Sequence, residues 1–369
     1  MNLINSTRLV GGFTLGTEPS GREVLIVAVK GTFRIPSNGE PVQLADEQLP
    51  LVMADTFSGE PGFSAPVYEV DFAARKHRCD VLLNGSAHAP GGRPASRVEV
   101  GVRVNGMSKT FAVLGDRVWQ AGAAGIGPGT PIPFTTMPIS YDRAFGGVDS
   151  RDENPRNHAA FMPNPVGRGF HKDLRAGWVN GTPLPNTEES SRAVVMPNDQ
   201  KYRPMAFGPV GRGWHPRAQL AGTYDEAWLQ QHFPFLPPDF DEGYYQAAPP
   251  DQQIPHPQGG EEIVLLNLEQ SGRVAFQLPT FDAPIHFFPK KGEREDGRLV
   301  LDTIVLEPDL RRFQLTWRAT RPLKKNLYEI THILVGRKSG EWWAEREKLE
   351  FPILLTPVRA DQPAPPERG

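Results

Sequence analysis

Five carboxylates gather late in the middle of the chain: Asp225, Glu226, Asp239, Asp241 and Asp251. A pair such as Asp239 and Asp241 could act as the acid and base of a glycosidase. The string Pro237-Pro238-Asp239-Phe240-Asp241 is equally a turn in which Asp bonds its own backbone, and we read these carboxylates as structural or capping groups. The D-x-D-x-D-G spacing of a calcium loop is not met. A second candidate is a repeat, Pro165-Val-Gly-Arg-Gly-Phe-His171 and Pro209-Val-Gly-Arg-Gly-Trp-His215, offset by 44 residues. Its glycines could let backbone N–H groups converge while Arg168 and Arg212 fork onto a carboxylate or phosphate. The plainer reading, which we favour, is a repeated turn with its ring packed down. No Walker-type Lys-Ser/Thr follows either copy, so a nucleotide is not expected.

His171 and His215 could share a metal if the two loops met, but the nine histidines form no HxH or HExxH pattern. The single cysteine, Cys79, excludes an internal disulfide and a multi-cysteine metal site. Its neighbours alternate as in a strand, so a buried thiol is expected rather than a nucleophile. Gly125-Ile-Gly-Pro-Gly129 imitates a phosphate loop, yet Pro128 removes a donor and no helix follows, so we read a plain loop. No GxSxG elbow is present. These residues assemble no catalytic set, and the expectation is a non-enzymatic protein without cofactor or metal.

The elements that would carry these residues are mostly strands. Leu25, Val27, Val29 and Phe33 share one face of a segment whose other face holds Lys30 and Thr32. Val98, Val100, Val102 and Val104 alternate with Glu99, Gly101, Arg103 and Asn105, and Asn105-Gly106 is a type I′ turn leading into Met107–Leu114. Strand candidates return at 263–268, 274–278, 299–306, 313–317, 330–335 and 349–355, without helical periods between them. The predicted class is mainly β: an antiparallel sandwich or open barrel with few short helices. Four stretches follow: an N-terminal β region (1–122), an irregular central segment (123–260), a C-terminal β region (261–358) and a polar, Pro-rich tail (359–369) that reads as disordered.

With 37 glycines and 38 prolines the chain is ill-suited to helices. The excess lies in residues 123–260, which hold 20 prolines and 16 glycines. The same segment carries 16 of the 34 aromatic residues, too many for disorder. It is expected to be ordered, irregular, and wrapped on the β scaffold by its rings. One short helix is predicted over 225–232, capped by Thr223 with Glu226, facing Trp228 and Leu229 to the scaffold and ended by Pro234. A net charge of −3 lacks the basic footprint of a nucleic-acid binder. No apolar run is long enough to span a bilayer, and the start does not read as a targeting signal. The expected compartment is the cytoplasm.

Six strings occur in order: Tyr141-Asp-Arg-Ala-Phe-Gly-Gly147, Asn164-Pro-Val-Gly-Arg-Gly-Phe170, Leu220-Ala-Gly-Thr-Tyr-Asp-Glu-Ala-Trp228, Leu236-Pro-Pro-Asp-Phe-Asp241, Ala247-Ala-Pro-Pro-Asp-Gln-Gln253 and Gly260-Glu-Glu-Ile-Val264. Together they resemble, over roughly residues 20–320, a bacterial domain-of-unknown-function family encoded beside type VI secretion spike and toxin genes. What the resemblance implies is an adaptor or chaperone that binds a toxic effector and promotes its loading onto the spike, with no catalytic residues to transfer. Its partners would be the secreted effector and the spike protein. Because Tyr, Trp and Arg dominate interface hot spots, the partner-binding candidates are exposed members of Tyr141, Arg143, Phe145, Arg168, Phe170, Arg212, Trp214 and Trp228. The alternative of another class is a glycan-active or glycan-binding β protein using Asp239 and Asp241.

Overall fold

The computed structural model describes residues 1–344 apart from positions 38 and 124. The strand expected at 349–355 and the tail 359–369 lie outside the described residues. The protein is mainly β, built on mostly antiparallel sheets with a few short helices among the described residues. In the larger sheet the long strand Glu23–Arg34 pairs antiparallel with Val10–Thr17 on one side and Arg312–Pro322 on the other. Val300–Glu307, Cys79–Leu83 and Gln253–Ile254 continue it. The first and last thirds of the chain therefore share one sheet.

The second sheet runs Thr187–Glu188, Met107–Leu114, Arg97–Val104, Glu262–Leu266, Arg273–Gln277. Its central hairpin turns through Asn105 and Gly106, both at positive φ, with Val104 opposite Met107; this is the type I′ geometry those residues favour. The valine row of Arg97–Val104 faces Leu25, Val27, Val29, Leu315 and their neighbours in one core that joins both sheets. Cys79 lies in that core with no exposure, and burial pushes its thiol well up. A smaller sheet of Asn2–Asn5, Ile330–Val335, Ile285–Pro289 and Glu295–Gly297 adds to the same core.

Alternation identifies the aliphatic strands and hides others. In Val10–Thr17 three glycines replace apolar side chains because neighbours crowd them: a Cβ on Gly12 would meet Leu51 at 2.6 Å. Gly125–Pro128, read from its composition as a loop, is a short strand zipped to Trp119–Gly122. The helix occupies Glu226–Gln231, and its N-cap is Asp225, whose carboxylate accepts the Trp228 N–H at 2.8 Å. Thr223 is drawn away because its N–H and hydroxyl both bond Asp239.

The central segment brings its own core. Trp119, Phe145, Phe161, Phe170 and Tyr202 are buried together with Val179, Leu184 and Val194. Phe161 and Tyr202 each lie about 5 Å from Phe145, at the separation where ring pairs add attraction beyond buried area.

The outer face of the larger sheet carries buried charge. Lys30, Lys76 and Arg318 meet Asp71, Asp80 and Asp302, all under 9% exposed. Lys30 bonds Asp71 at 2.9 Å, Lys76 bonds Asp80 at 2.6 Å and Arg318 bonds Asp302. Asp80 also accepts the Gln246 side-chain amide at 2.7 Å and the Ala247 N–H at 2.8 Å. Asp80→Asn keeps the shape but strands the Lys76 charge, so it is expected to cost about 3–5 kcal/mol in urea unfolding. The double variant Lys76→Met/Asp80→Asn should recover most of that loss. A single-variant cost under about 1 kcal/mol would show that this pair does not hold the fold.

Candidate functional site

Two features of the central segment stand out, a cavity and an exposed aromatic surface. The cavity, about 530 Å³, lies between residues 200–220 and 243–253 and the strand Met107–Leu114. Its size falls in the usual ligand-pocket range of roughly 300–1,000 Å³. Tyr141, Pro163, Pro204, Met205, Pro216 and Leu220 give it apolar walls. Lys109 reaches it from the strand, on the same face as the buried Phe111 and Val113 and opposite Val102. The strand Thr187–Glu188 pairs only at Ala112 and Val113, so beside Lys109 the edge meets the turn Pro250–Gln252 instead.

The Lys109 ammonium donates to Gln252 Oε1 at 2.7 Å and to Asp251 at 3.2 Å. Asp251 is shared with Arg203 at 3.0 Å. Burial pulls the Lys109 amine down to about 8, against the pull of Asp251 and with a smaller push from Arg203. Burial likewise pushes the Tyr141 hydroxyl up, helped by Asp251. Arg217, 4% exposed, donates to Tyr244 O, Val210 O and Glu69, while its Nη2 has no partner among the described residues.

The aromatic surface is built around the helix Glu226–Gln231. Half-buried Trp228 donates to Phe235 O at 2.9 Å and takes Tyr224 and Phe233 edge-on at 4.7 and 5.7 Å. Phe235 lies flat against the turn before Glu23–Arg34, where Gly21 has φ +81° and a Cβ would meet the ring at 2.6 Å. Tyr224, Leu229, Phe233 and Phe235 are 49–63% exposed. Leu229 points to water rather than to the scaffold, because one short turn of helix already seats Trp228. Residues 223–242 carry five carboxylates and no Lys or Arg, and of these carboxylates Glu242 is met from outside the segment by Arg75 and His77.

A bacterial family described as "Uncharacterized protein conserved in bacteria (DUF2169)" matches residues 20–318. The chain belongs to this family. No curated protein and no solved structure matches it. The matched span in this DUF2169 member contains the second sheet, most of the larger one, the cavity and the aromatic surface.

The partner-binding candidates divide by environment. Tyr141 and Trp214 are buried, 5.3 Å apart and edge-on, in a small cluster beside the cavity. Phe145 and Phe170 lie inside the ring core. Arg143 and Arg168 line a second cleft of about 350 Å³ with Asp116; Arg143 bonds Asn186 at 3.1 Å and Arg168 bonds Asp142 O at 3.1 Å. Arg212 clamps Asp55 through two nitrogens at 2.6 and 3.2 Å. Trp228 alone of the eight sits in the exposed aromatic surface. The two repeat copies thus engage different partners, Arg168 a backbone carbonyl and Arg212 a carboxylate. His171 bonds Thr182 at 2.9 Å while His215 lines the cavity. Among the described residues no three metal-ligating side chains gather, and no helix is long and apolar enough to cross a membrane. Asp239 holds Thr223, and Asp241 caps the turn Glu242–Tyr245 through the Gly243 N–H at 2.7 Å.

Sequence reasoning passed over Lys109 and the rings Tyr224, Phe233 and Phe235. For Lys109 a signal exists: it occupies an inward position in the alternation Met107, Lys109, Phe111, Val113. The folded chain holds this proton less tightly than the unfolded one. The penalty for burying the charge is therefore present in full below pH 8, and stability rises as pH climbs from about 8 toward the ordinary 10.5. With ¹³C-labelled lysine, one Cε resonance should titrate near pH 8 and disappear in Lys109→Arg. If every lysine titrates near 10.5, the amine is not desolvated as described.

Proposed function

We propose that this protein is a non-enzymatic adaptor that holds a secreted effector protein on the aromatic surface of residues 223–242 and promotes its loading onto a type VI secretion spike. The observation that carries the protein-binding part is the exposure of Tyr224, Leu229, Phe233 and Phe235 together around Trp228. Clustered exposed rings on a soluble β scaffold mark interaction sites, and aromatic anchors supply most of the binding energy in such interfaces. The carboxylates nearby favour a partner whose contact rim is basic. The effector and spike as partners, and the cytoplasm as the place of loading, rest on the resemblance carried by the six ordered strings between Tyr141 and Val264.

A scaffold suits this task. The surface is set on a rigid sheet through Gly21 and Phe235, so little ordering entropy is lost when a partner docks. Co-expression with the product of the adjacent toxin gene tests the reading: effector should co-purify, and its cellular level should fall when the adaptor is deleted. Leu229→Glu and Phe233→Ser remove exposed apolar area and should weaken capture about tenfold or more while changing stability by under about 0.5 kcal/mol. Unchanged capture by both variants would move the interface elsewhere. Absence of any effector or spike in the co-purified material would end the adaptor reading.

A further inference from the structure

The cavity beside Lys109 is not explained by protein docking on the aromatic surface, which is acidic where the cavity is basic. Four cationic side chains line it, Lys109, Lys201, Arg203 and Arg217, against one carboxylate, Asp251. Asp251 already serves two of them, and Glu69 holds Arg217 from behind the wall. One donor of the lining, the buried Arg217 Nη2, has no acceptor among the described residues. Buried polar groups are rarely left in this state, because each unmade hydrogen bond costs about 1–3 kcal/mol. Four lining cations against one lining carboxylate call for an anion. The rest of the lining includes prolines, a methionine and a leucine, whose side chains accept a hydrocarbon and offer it no hydrogen bonds.

We infer that this cavity binds the carboxylate end of an apolar molecule, with the carboxylate among Lys109, Lys201 and Arg203 and the apolar body along the proline wall. A carboxylate fits better than a neutral polar head, since it adds the missing negative charge and has lone pairs for several donors at once. It also explains why a lysine stands at a core-facing strand position: in the filled site its charge is paired twice, by Asp251 and by the ligand. The same chemistry is presented by a free aliphatic acid and by the C-terminus of a polypeptide ending in apolar residues.

Titration calorimetry of the full chain with decanoate, with decanol, and with a peptide ending Leu-Leu as free acid or amide separates these sources. The free acid of at least one pair should bind about tenfold or more tightly than its uncharged counterpart. Decanoate alone binding identifies a small aliphatic acid, and the free-acid peptide alone identifies a chain terminus. Lys109→Met, which keeps the volume and removes the charge, should weaken the acid about tenfold or more and leave decanol unchanged. Lys201→Glu, at the exposed rim, should weaken the acid without touching the buried bonds and guards against a folding defect in the first variant. Equal binding of acid and uncharged partner, no binding by either acid, or indifference to both substitutions overturns the inference. Leu229→Glu, which disables the aromatic surface, should leave decanoate binding intact, so the two readings fail separately.

Discussion

Asp80 is the point on which the irregular half of the molecule hangs. It sits on the inner strand Cys79–Leu83 with no exposure and takes the Lys76 ammonium, the Gln246 amide and the Ala247 N–H. A carboxylate placed there without partners would be strongly unfavourable, and with them it becomes a fixed anchor for chain that has no ladder of its own. Asp71 repeats the arrangement from the other side, accepting Lys30 and the Val52 N–H and reaching Thr316 at 3.2 Å. Arg318 closes the set by bonding Asp71 O at 2.6 Å and Asp302. Three cations and three carboxylates leave no net charge in this layer. Such a network specifies one arrangement, because every alternative strands a buried ion.

From this layer the cavity follows. Gln246, held by Asp80, and Ala248, next to the Ala247 that Asp80 also holds, supply one wall, and the turn Pro250–Gln252 brings Asp251 to Lys109. Gln252 locks the turn by donating to Val81 O and Phe207 O at 2.6 and 2.9 Å. Prolines suit these walls, since they hold φ near one value and present no N–H to satisfy. The abundance of Gly and Pro in the middle of the chain thus serves a surface fixed by side-chain acceptors and rings in place of strand pairing.

The aliphatic strands were legible because both faces announce themselves: valines every second residue in Arg97–Val104, and Leu25, Val27 and Val29 against Lys30 and Thr32. Their sheet partners were not, since pairing of Glu23–Arg34 with Arg312–Pro322 is set by contacts almost 300 residues apart in sequence. Nor could the sequence tell which central rings face inward. Phe170 and Trp214 hold matching places in the repeat, yet one joins the ring core and the other packs on Tyr141. Phe233 and Phe235 look like equally good core residues. They are exposed because Trp228 and Gly21 already take up the contacts that part of the scaffold offers.

Charge divides the two candidate sites more firmly than shape does. The segment 223–242 around Trp228 holds Asp225, Glu226, Asp239, Asp241 and Glu242 and no Lys or Arg, with Glu242 met by Arg75 and His77 from outside it. In the cavity four cations share one lining carboxylate. A partner rim that complements the first would be repelled by the second, and an acid that fills the second gains nothing at the first. The two can therefore be occupied independently. What joins them is the segment itself: Arg217 and Leu220 line the cavity, Gly222 turns the chain at φ +81°, and Thr223 begins the acidic aromatic stretch. Displacement at the cavity wall would have to pass through those few residues to reach Trp228. Arg217, pinned by Glu69, Val210 O and Tyr244 O, resists that displacement. Such a join favours two rigid sites on one frame over a single coupled switch.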